Sequence, residues 1–379
     1  MNIAFYAPLK APDHPTPSGD RAVARMLLSA LRAAGHRVQL ASRLRSLDRV
    51  GDAANQARIK RRAVLVTKRL LARYRCCAPT QRPQLWFTYH LYHKAPDLIG
   101  PQISRELNIP YVVAEASHAP KQAAGAWAAG YRSAAQSMHS AALIISLNRA
   151  DEPCVRDLLG GTAKLRRMAP FIDTRFSTRA LQTLDQSTAL RKQLGMRADT
   201  PIVVCAAMMR SGDKLASYQM LATALARIAH LRWQLLVLGD GPARDQVVEV
   251  MRPLGDRVFW VGLVSPQVLP RWLCGCDLYA WPAVNEAWSM ALLEATAVGL
   301  PAIAGNEGGV ASVIDDGCSG ILTPARDAAA FAQAVAALLG DERRRRDMGE
   351  AARAKVIKEH DLAAASRALN RLLWEVVQQ

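Results

Sequence analysis

The sequence predicts an α/β protein built from two parallel β-sheets, each covered by helices on both faces. Short apolar runs alternate with helical stretches along most of the 379 residues. Runs that are apolar throughout are typical of strands buried between two layers of helices. A polar interval at 177–200 contains no strand pattern and separates two such series. Two series of strand–helix units indicate two doubly wound domains.

The first series begins at the N-terminus, where the run NIAFY predicts a strand over 2–6. A helix should follow, because Ser18 can cap its first turn and Gly35 can end it. Four further apolar runs complete the series and predict strands over 37–42, 85–89, 111–116 and 142–147. We place the junction between the two domains near 172–180.

The second series has six apolar runs, which predict strands over 201–208, 233–239, 258–262, 278–282, 301–305 and 320–323. Three helical stretches follow, over about 327–339, 341–356 and 362–377. No internal repeat with a period of about 20 to 50 residues is visible in the sequence.

The composition is that of a globular protein, with 50% hydrophobic and 21% charged residues, which excludes an intrinsically disordered chain. No apolar run reaches the roughly 20 residues that a membrane-spanning helix needs. The N-terminus lacks the basic start and apolar stretch of a signal peptide, so we expect a cytoplasmic protein. Its seven cysteines lack zinc-ligand spacing, and we expect reduced thiols rather than disulfides or a metal site.

Basic residues exceed acidic ones strongly and give a formal net charge of +17. Between 41 and 80 the acidic residues are Asp48 and Asp52, and the basic ones are Arg43, Arg45, Arg49, Arg58, Lys60, Arg61, Arg62, Lys68, Arg69, Arg73 and Arg75. Such a patch favours an anionic partner: nucleic acid, an acidic membrane surface or a pyrophosphate-bearing substrate. Tyr74 is its one aromatic residue, which argues against single-stranded nucleic acid.

Apolar residues lie among these cations in the 41–75 segment, an arrangement typical of a helix at a membrane interface. They are Ile59, Val64, Val66, Leu70 and Leu71. We therefore expect the 41–75 segment to face an anionic membrane surface. The alternative is a basic face that contacts only solvent.

Two glutamates, Glu286 and Glu294, stand with seven residues between them in the stretch NEAWSMALLEAT. Ser289 can cap a helix over about 290–298, which a Gly-Leu-Pro sequence then ends. Free amides at the start of a helix attract phosphate, whereas carboxylates repel it and accept hydrogen bonds from hydroxyls. The pattern therefore favours a sugar nucleotide. From spacing alone, the alternative is a surface residue at Glu294 and a loop residue at Glu286 favoured by the helix dipole.

The segment 285–322 resembles the signature of a large family of retaining, GT-B-fold glycosyltransferases with two glutamates seven residues apart, the family 4-like glycosyl transferases of group 1. The stretches at 169–177, 235–247 and 276–287 agree with that family in order and spacing. The resemblance implies a GT-B architecture, with two Rossmann-like β/α/β domains facing each other across a deep cleft.

The resemblance also implies what each domain does. Residues 1–172 should form the acceptor-binding domain, and residues 173–360 should form the nucleotide-sugar-binding domain. The last helix, within 361–379, should cross back to the N-terminal domain.

Several donor-binding residues follow from the resemblance. Glu286 should contact the donor sugar, and Glu294 should contact the ribose of the nucleotide. Lys214 and Arg210 should grip the donor diphosphate. Arg210 stands one place later than the arginine of the family, whose position is taken here by Met209.

Further site residues follow from the same resemblance. The start of the helix after Ser289, with Met290 and Ala291, should bind donor phosphate; the family commonly has glycine where Ser289 stands. Gly19, in the first strand–helix loop, matches one of two glycines that approach the donor phosphates and the acceptor. His118, just past a predicted strand, matches an active-site histidine that faces the donor sugar.

The expected reaction is the transfer of a sugar from a UDP- or GDP-linked donor to an acceptor hydroxyl, with retention at the anomeric carbon. The resemblance implies electrostatic catalysis by Lys214, Glu286 and His118. The sequence has no Asp-x-Asp motif, so we expect no metal and no cofactor, and activity that survives EDTA. The expected acceptor is a glycan or a lipid-linked glycan of cell-surface polysaccharide assembly, at the inner face of the cytoplasmic membrane.

Other functions stay open from the sequence. A sugar-nucleotide epimerase or a phosphorylase would share the GT-B fold. A dinucleotide-dependent oxidoreductase would also be doubly wound, but the stretch at 239–244 lacks the third glycine of its fingerprint. A non-enzymatic protein that binds nucleic acid or membranes would explain the charge but not the paired glutamates, and we expect no nucleic-acid partner.

Overall fold

The structure is a computed structural model that describes residues 1–16, 18–182, 186–286 and 290–378. The chain forms two compact units: unit 1 consists of Met1–Ala169 and Leu362–Gln379, and unit 2 consists of Pro170–Asp361. At the border of unit 2 the Ile172 N–H donates to the His360 carbonyl at 2.8 Å. The points where the chain enters and leaves unit 2 are therefore tied together.

All twelve strands found in the described residues are parallel to their neighbours and form one six-stranded sheet in each unit. The strands are β1 Asn2–Tyr6, β2 Arg37–Ser42, β3 Leu85–Leu91, β4 Tyr111–Ala116, β5 Leu143–Ser146, β6 Leu165–Arg167, β7 Ile202–Ala206, β8 Gln234–Leu238, β9 Val258–Gly262, β10 Leu278–Trp281, β11 Ala302–Gly305 and β12 Gly320–Thr323.

Helices connect the strands and cover the sheets. They are α1 Gly19–Ala33, α2 Ala53–Cys76, α3 Gly100–Leu107, α4 Ala128–Ser140, α5 Glu152–Leu159, α6 Arg175–Leu181, α7 Gln186–Leu194, α8 Asp213–Arg227, α9 Arg244–Met251, α10 Leu269–Cys274, α11 Met290–Ala297, α12 Ala328–Leu339, α13 Glu342–Lys355 and α14 Leu362–Val377. Short 3-10 or π turns cover Pro79–Gln81, Pro120–Gln122, Arg149–Asp151, Arg252–Arg257, Val310–Ser312 and Val356–His360.

The strand order creates a switch point in each sheet. The order is β2-β1-β3-β4-β5-β6 in unit 1 and β12-β11-β10-β7-β8-β9 in unit 2. The chain therefore reverses its direction across the sheet between β1 and β3, and again between β7 and β10. In open parallel sheets, ligands bind beyond the carboxyl ends of the strands at such a point.

The sheets are held by large apolar side chains on the central strands. In unit 1, Phe5 of β1 pairs in register with Phe87 of β3, and the two rings stack with centroids 5.7 Å apart. In unit 2, Tyr218 of α8 packs edge-on against Trp281 of β10 at 4.9 Å. The Tyr218 hydroxyl also donates to the Ala207 carbonyl at 2.9 Å, which fixes the start of the loop after β7.

The predicted α/β class and the predicted strands are confirmed, and one strand was missed. Strand β6 has the sequence Leu-Arg-Arg at the edge of the unit 1 sheet, with both arginines exposed. A three-residue edge strand without an apolar run gives no pattern to detect. The polar interval between the two series contains helices α6 and α7 and no strand among its described residues.

Helix α2 corrects the prediction made from its apolar residues. Ile59, Leu70 and Leu71 are buried against unit 1 rather than turned outward, whereas Val64 is 46% exposed. The basic side chains of α2 lie on the opposite face and are exposed: Arg58, Lys60, Arg61, Arg62, Lys68, Arg69, Arg73 and Arg75. The outer face is therefore mainly cationic, and its exposed large apolar residues are Val64 and Leu65, the second 56% exposed.

Across the described part of the chain, the length and hydropathy of every helix fall short of what crossing a membrane requires.

Candidate donor site at the switch point of unit 2

The loop after β7 leads into α8 and carries the predicted lysine. Gly212 precedes the helix with a φ of 82°, a left-handed conformation that favours glycine. Lys214 follows in the first turn of α8 and is partly exposed. Met209, which occupies the family position of the arginine, is fully buried, whereas Arg210 is exposed and its guanidinium bonds to no described residue. Of Met209 and Arg210, therefore, only Arg210 has an exposed side chain that can contact a ligand.

Glu286 lies in the loop after β10 and meets Lys214. Their carboxylate and ammonium groups form an ion pair in which the Glu286 side chain is 12% exposed. The Trp281 indole N–H donates to the same carboxylate at 3.4 Å. The Lys214 ammonium also lies 5.5 Å from the centre of the Trp281 ring. The two residues that the sequence predicted from separate motifs are therefore in contact, at the switch point of the sheet.

The backbone around Glu286 is held in an unusual conformation. Ala283 and Asn285 have φ values of 57° and 50°, a region that costs energy for residues other than glycine. The Asn285 N–H donates to the Glu307 carboxylate at 2.7 Å, and its side-chain amide donates to Asp213 at 3.0 Å. These bonds connect the loop to two neighbouring segments and fix the direction of Glu286.

Three glycines let the neighbouring loops approach closely. A Cβ on Gly239 would collide with the carbonyl oxygen of Ala207, and a Cβ on Gly241 would collide with that of Met209. A Cβ on Gly305 would collide with the Pro282 carbonyl. The motif GDG after β8 therefore packs directly beneath the loop that carries Arg210.

Glu294 occupies the second turn of α11 and has no hydrogen-bond partner among the described residues. Its side chain is half-buried, and burial raises the pKa of its carboxyl to about 7. Met290 and Ala291 form the first turn of the same helix and are half-buried. Ser289, predicted to cap this helix and to bind phosphate, lies outside the described residues.

In unit 1, Gly19 and His118 both lie beyond the carboxyl ends of strands. Gly19 begins α1, and an added Cβ there would meet no atom within 4 Å. His118 is 9% exposed, and its Nε2 lies 3.2 Å from the Tyr131 hydroxyl. Burial, with a smaller contribution from His139, lowers the pKa of His118, so the imidazole is neutral near pH 7.

The structure also reveals titratable residues that the sequence did not single out. His90, at the end of β3, has its Nδ1 3.0 Å from the Asp20 carboxylate in the first turn of α1. Burial opposes the positive charge of His90, but the carboxylates of Glu115 and Asp20 outweigh it and raise the pKa of His90. Both His90 and Glu115 have a φ of 61°. A histidine at a strand end was the available signal, but its carboxylate partner is 70 residues away in the sequence.

The arrangement in unit 2 suits a ligand that carries both hydroxyls and phosphates. Carboxylates at Glu286 and Glu294 accept hydrogen bonds from hydroxyls, while Lys214, Arg210 and the amides of the first turn of α11 favour negative charge. In the described part of the chain, no group of three or more His, Cys, Asp or Glu residues is arranged to hold a metal ion.

Comparison with known sequences identifies the domain that contains this site. Residues 200–341 match the family described as "Glycosyl transferases group 1". The chain is 29% identical over 222 residues to D-inositol 3-phosphate glycosyltransferase of Xylanimonas cellulosilytica, covering 57% of this chain and 52% of that protein. It is also 29% identical over 207 residues to a GDP-mannose-dependent phosphatidylinositol monomannoside mannosyltransferase of Mycolicibacterium smegmatis, covering 51% of this chain and 52% of that protein. The matched part thus spans about half the length of these relatives.

Comparison with solved structures extends the similarity of the fold to the whole chain. The crystal structure of Anabaena HepE in complex with UDP matches with a TM-score of 0.75 at 17% identity, covering 99% of this chain and 100% of that chain. At this identity the match concerns the fold, and it confirms the predicted GT-B class of two parallel α/β sheets.

Proposed function

We propose, from the membership of residues 200–341 in the Glycosyl transferases group 1 family, that this chain is a glycosyltransferase. It transfers a sugar from a nucleotide diphosphate sugar to an acceptor hydroxyl and retains the configuration of the anomeric carbon. The observation that carries the proposal is the contact between Lys214 and Glu286 at the switch point of unit 2.

The charges of the site suit this reaction. Negative charge develops on the departing diphosphate, and Lys214, Arg210 and the first-turn amides of Met290 and Ala291 stabilise it. Donor phosphate competes with Glu286 for Lys214, and the released carboxylate then orients the sugar hydroxyls. We assign no metal ion and no cofactor to the reaction.

The remaining roles complete the site. Glu294 accepts hydrogen bonds from the ribose hydroxyls. Gly19 leaves room for a substrate beyond α1, and the neutral imidazole of His118 hydrogen-bonds the donor sugar. Unit 1 binds the acceptor.

A thermal-shift screen against UDP, GDP, ADP and their sugars tests the proposal. A ligand at 100 times its Kd adds about 2.7 kcal/mol to the free energy of unfolding, which corresponds to roughly 3–4 °C in Tm at an unfolding entropy of about 2.1 cal/mol/K for each of the 379 residues. We expect one uridine or guanosine diphosphate class to produce this shift, since the UDP complex of HepE and the GDP-mannose-dependent relative support these two bases.

The E286Q variant serves as the matched comparison, because it removes the carboxylate charge without changing the size of the side chain. It should bind the free nucleoside diphosphate but lose the extra shift given by the sugar. The proposal is wrong if no nucleotide or nucleotide sugar shifts the wild-type Tm. Product analysis with the best donor then separates transfer from epimerisation and phosphorolysis.

We further propose that the acceptor is a glycan or a lipid-linked glycan, and that the protein works at the cytoplasmic face of a membrane. The outer face of α2 supports this, because it carries exposed cations such as Arg61, Arg62 and Arg69, none of which bonds to a described residue. Since Ile59 and Leu70 are buried and the exposed large apolar residues of α2 are Val64 and Leu65, attraction to the membrane is mainly electrostatic.

Binding to lipid vesicles tests this surface. The combined variant R61Q/R62Q/R69Q should bind vesicles of phosphatidylglycerol about 100-fold more weakly than the wild type, at about 1 kcal/mol for each cation near an anionic surface. The variant R343Q/R344Q/R346Q removes the same charge from the exposed face of α13 and should bind like the wild type. If the wild type binds neutral phosphatidylcholine vesicles as tightly as phosphatidylglycerol vesicles, or if its binding does not depend on salt, the proposed membrane surface is wrong.

A further inference from the structure

Two loops of unit 1 meet beyond the carboxyl ends of β1 and β2. The Ser46 N–H donates to the Pro8 carbonyl at 2.9 Å, and the Arg45 Nε donates to the Leu9 carbonyl at 3.0 Å. These bonds fix Arg45 beside Lys10, the residue that follows Leu9. They leave the two terminal nitrogens of the Arg45 guanidinium without a partner among the described residues.

The cations gathered here have no carboxylate partner. Lys10 donates to the Thr16 carbonyl at 3.3 Å, but neither Lys10, Arg45 nor Arg49 forms an ion pair within the described residues. By contrast, Arg43 of the same loop pairs with Asp13 at 2.6 Å.

Burial and neighbouring cations lower the pKa of Lys10. Burial, followed by repulsion from Arg45, lowers the pKa of Lys10. Arg21 and Arg49 act in the same direction, and Asp20 opposes them without reversing the effect. Like charges held together without a counter-ion are unfavourable unless an anion binds between them.

Asp20, the carboxylate that acts on Lys10, already has another partner. Asp20 is bonded to His90 at 3.0 Å, and the His90 ring lies 5.1 Å from the ring of Tyr92. The N–H of Asp48, the residue before Arg49, donates to the Lys94 carbonyl at 2.8 Å, which ties the loop of Arg45 and Arg49 to the segment that follows β3. Among the described residues Asp20 thus forms its ion pair with His90 and none with Lys10 or Arg45.

Arg45 and Arg49 are exposed, but the place of this group in the fold is that of a ligand site. Lys10 follows β1 and His90 lies near the end of β3, so the group lies beside the switch point of the unit 1 sheet, where ligands of open sheets bind. The cations of α2, by contrast, line the outward face of a helix.

We propose that Lys10, Arg45 and Arg49 bind a phosphate or pyrophosphate group carried by the acceptor. Arginine and lysine are the usual ligands of such groups. The statement that the anion belongs to the acceptor rests on the proposed function. The anion site itself is argued from the residues of unit 1. The phosphorylated group comes either from a soluble sugar phosphate or from a lipid-linked pyrophosphate.

Calorimetric titration with inorganic pyrophosphate tests the site in the full chain. The titration uses an R210Q/K214Q background, so that the cations of unit 2 do not bind the probe. Adding K10Q/R45Q/R49Q should weaken pyrophosphate binding at least about tenfold, because three charge-assisted contacts are lost. Adding R61Q/R62Q/R69Q, which removes the same charge from α2, should leave the affinity unchanged. An equal loss in both variants would mean diffuse attraction to net charge and would overturn the proposal.

A second measurement does not depend on the folding of the K10Q/R45Q/R49Q substitutions. In the same background, pyrophosphate should slow acetylation of Lys10 by an amine reagent, measured by mass spectrometry, and should leave exposed Lys60 of α2 unaffected. Unchanged Lys10 modification at saturating pyrophosphate would contradict the assignment.

Two further measurements distinguish a lipid-linked acceptor from a soluble one, and the anion site from the proposed transferase activity. Competition by farnesyl pyrophosphate in phosphatidylcholine vesicles indicates a lipid-linked acceptor, whereas competition by glucose 1-phosphate alone indicates a soluble one. The K10Q/R45Q/R49Q variant, made in the otherwise wild-type chain, should keep the nucleotide thermal shift. If nucleotides bind but pyrophosphate does not, only this inference fails; if pyrophosphate binds but no nucleotide does, the proposed transferase activity fails.

Discussion

Replacing Lys214 by alanine should lower the kcat of sugar transfer about 10²–10³-fold, the usual cost of removing one group that stabilises transition-state charge. The ammonium is the charged group that the structure holds in contact with Glu286, over the ring of Trp281. Its charge is needed most when the sugar–phosphate bond breaks and the diphosphate takes up negative charge. The effect should therefore be larger on kcat than on the KM of the donor.

The controls for this experiment separate charge from folding. K214R keeps the positive charge and should retain more activity than K214A, but less than the wild type, because the guanidinium is larger and planar. K192A removes an exposed lysine from α7 of the same unit and should be fully active. Circular dichroism and Tm should show that K214A is folded. Turnover of K214A close to that of the wild type would refute the role of Lys214.

Much of the fold could be predicted because buried strands of parallel sheets are continuous apolar runs. The run at 258–262 coincides with β9, and the run at 111–116 coincides with β4. Strand β6 was not predicted, because two of its three residues are exposed arginines. The burial of the apolar residues of α2 was also not predicted. The sequence shows that Ile59 lies among cations, but it does not show which surface covers its side chain.

Short motifs located candidate site residues, whose roles stay predictions. Lys214 and Glu286 were each predicted from the resemblance of a loop to the family motif, and their contact follows from the neighbouring positions of β7 and β10 in the sheet. The pairing of Asp20 with His90 depends instead on the order of β1 and β3, which a single sequence does not reveal. The same holds for Lys10 and Arg45, which meet only because two loops are hydrogen-bonded.

Replacing Glu294 by glutamine should stabilise the ligand-free protein above pH 7. Burial raises the pKa of Glu294 from 4.5 to about 7, so the native state binds a proton more tightly than the unfolded state does. Between pH 4.5 and pH 7 the native state therefore carries more protons, and the free energy of unfolding falls as the pH rises. The cost of ionising this half-buried group reaches at most about 3 kcal/mol above pH 7, and glutamine does not incur it.

Urea unfolding at pH 5 and pH 8 measures this effect. Relative to E294Q, the wild type should lose about 2–3 kcal/mol between the two pH values. E350Q, which changes an exposed glutamate of α13, should follow the wild type. A lower stability of E294Q at pH 8 would mean that the native carboxylate is ionised and favourably paired, contrary to the burial described above.

Nucleotide binding should respond to the same substitution in the opposite direction. Only the ionised carboxylate accepts hydrogen bonds from two ribose hydroxyls at once, so wild-type affinity should rise with pH through about 7. In E294Q the affinity should be lower at pH 8 and nearly independent of pH. If Glu294 has only a structural role, E294Q should change the stability alone. If Glu294 binds the nucleotide, E294Q should raise the stability of the ligand-free protein and lower its affinity for nucleotide. A variant that is more stable without ligand but is stabilised less by nucleotide would therefore identify Glu294 as a residue kept for binding at a cost to folding.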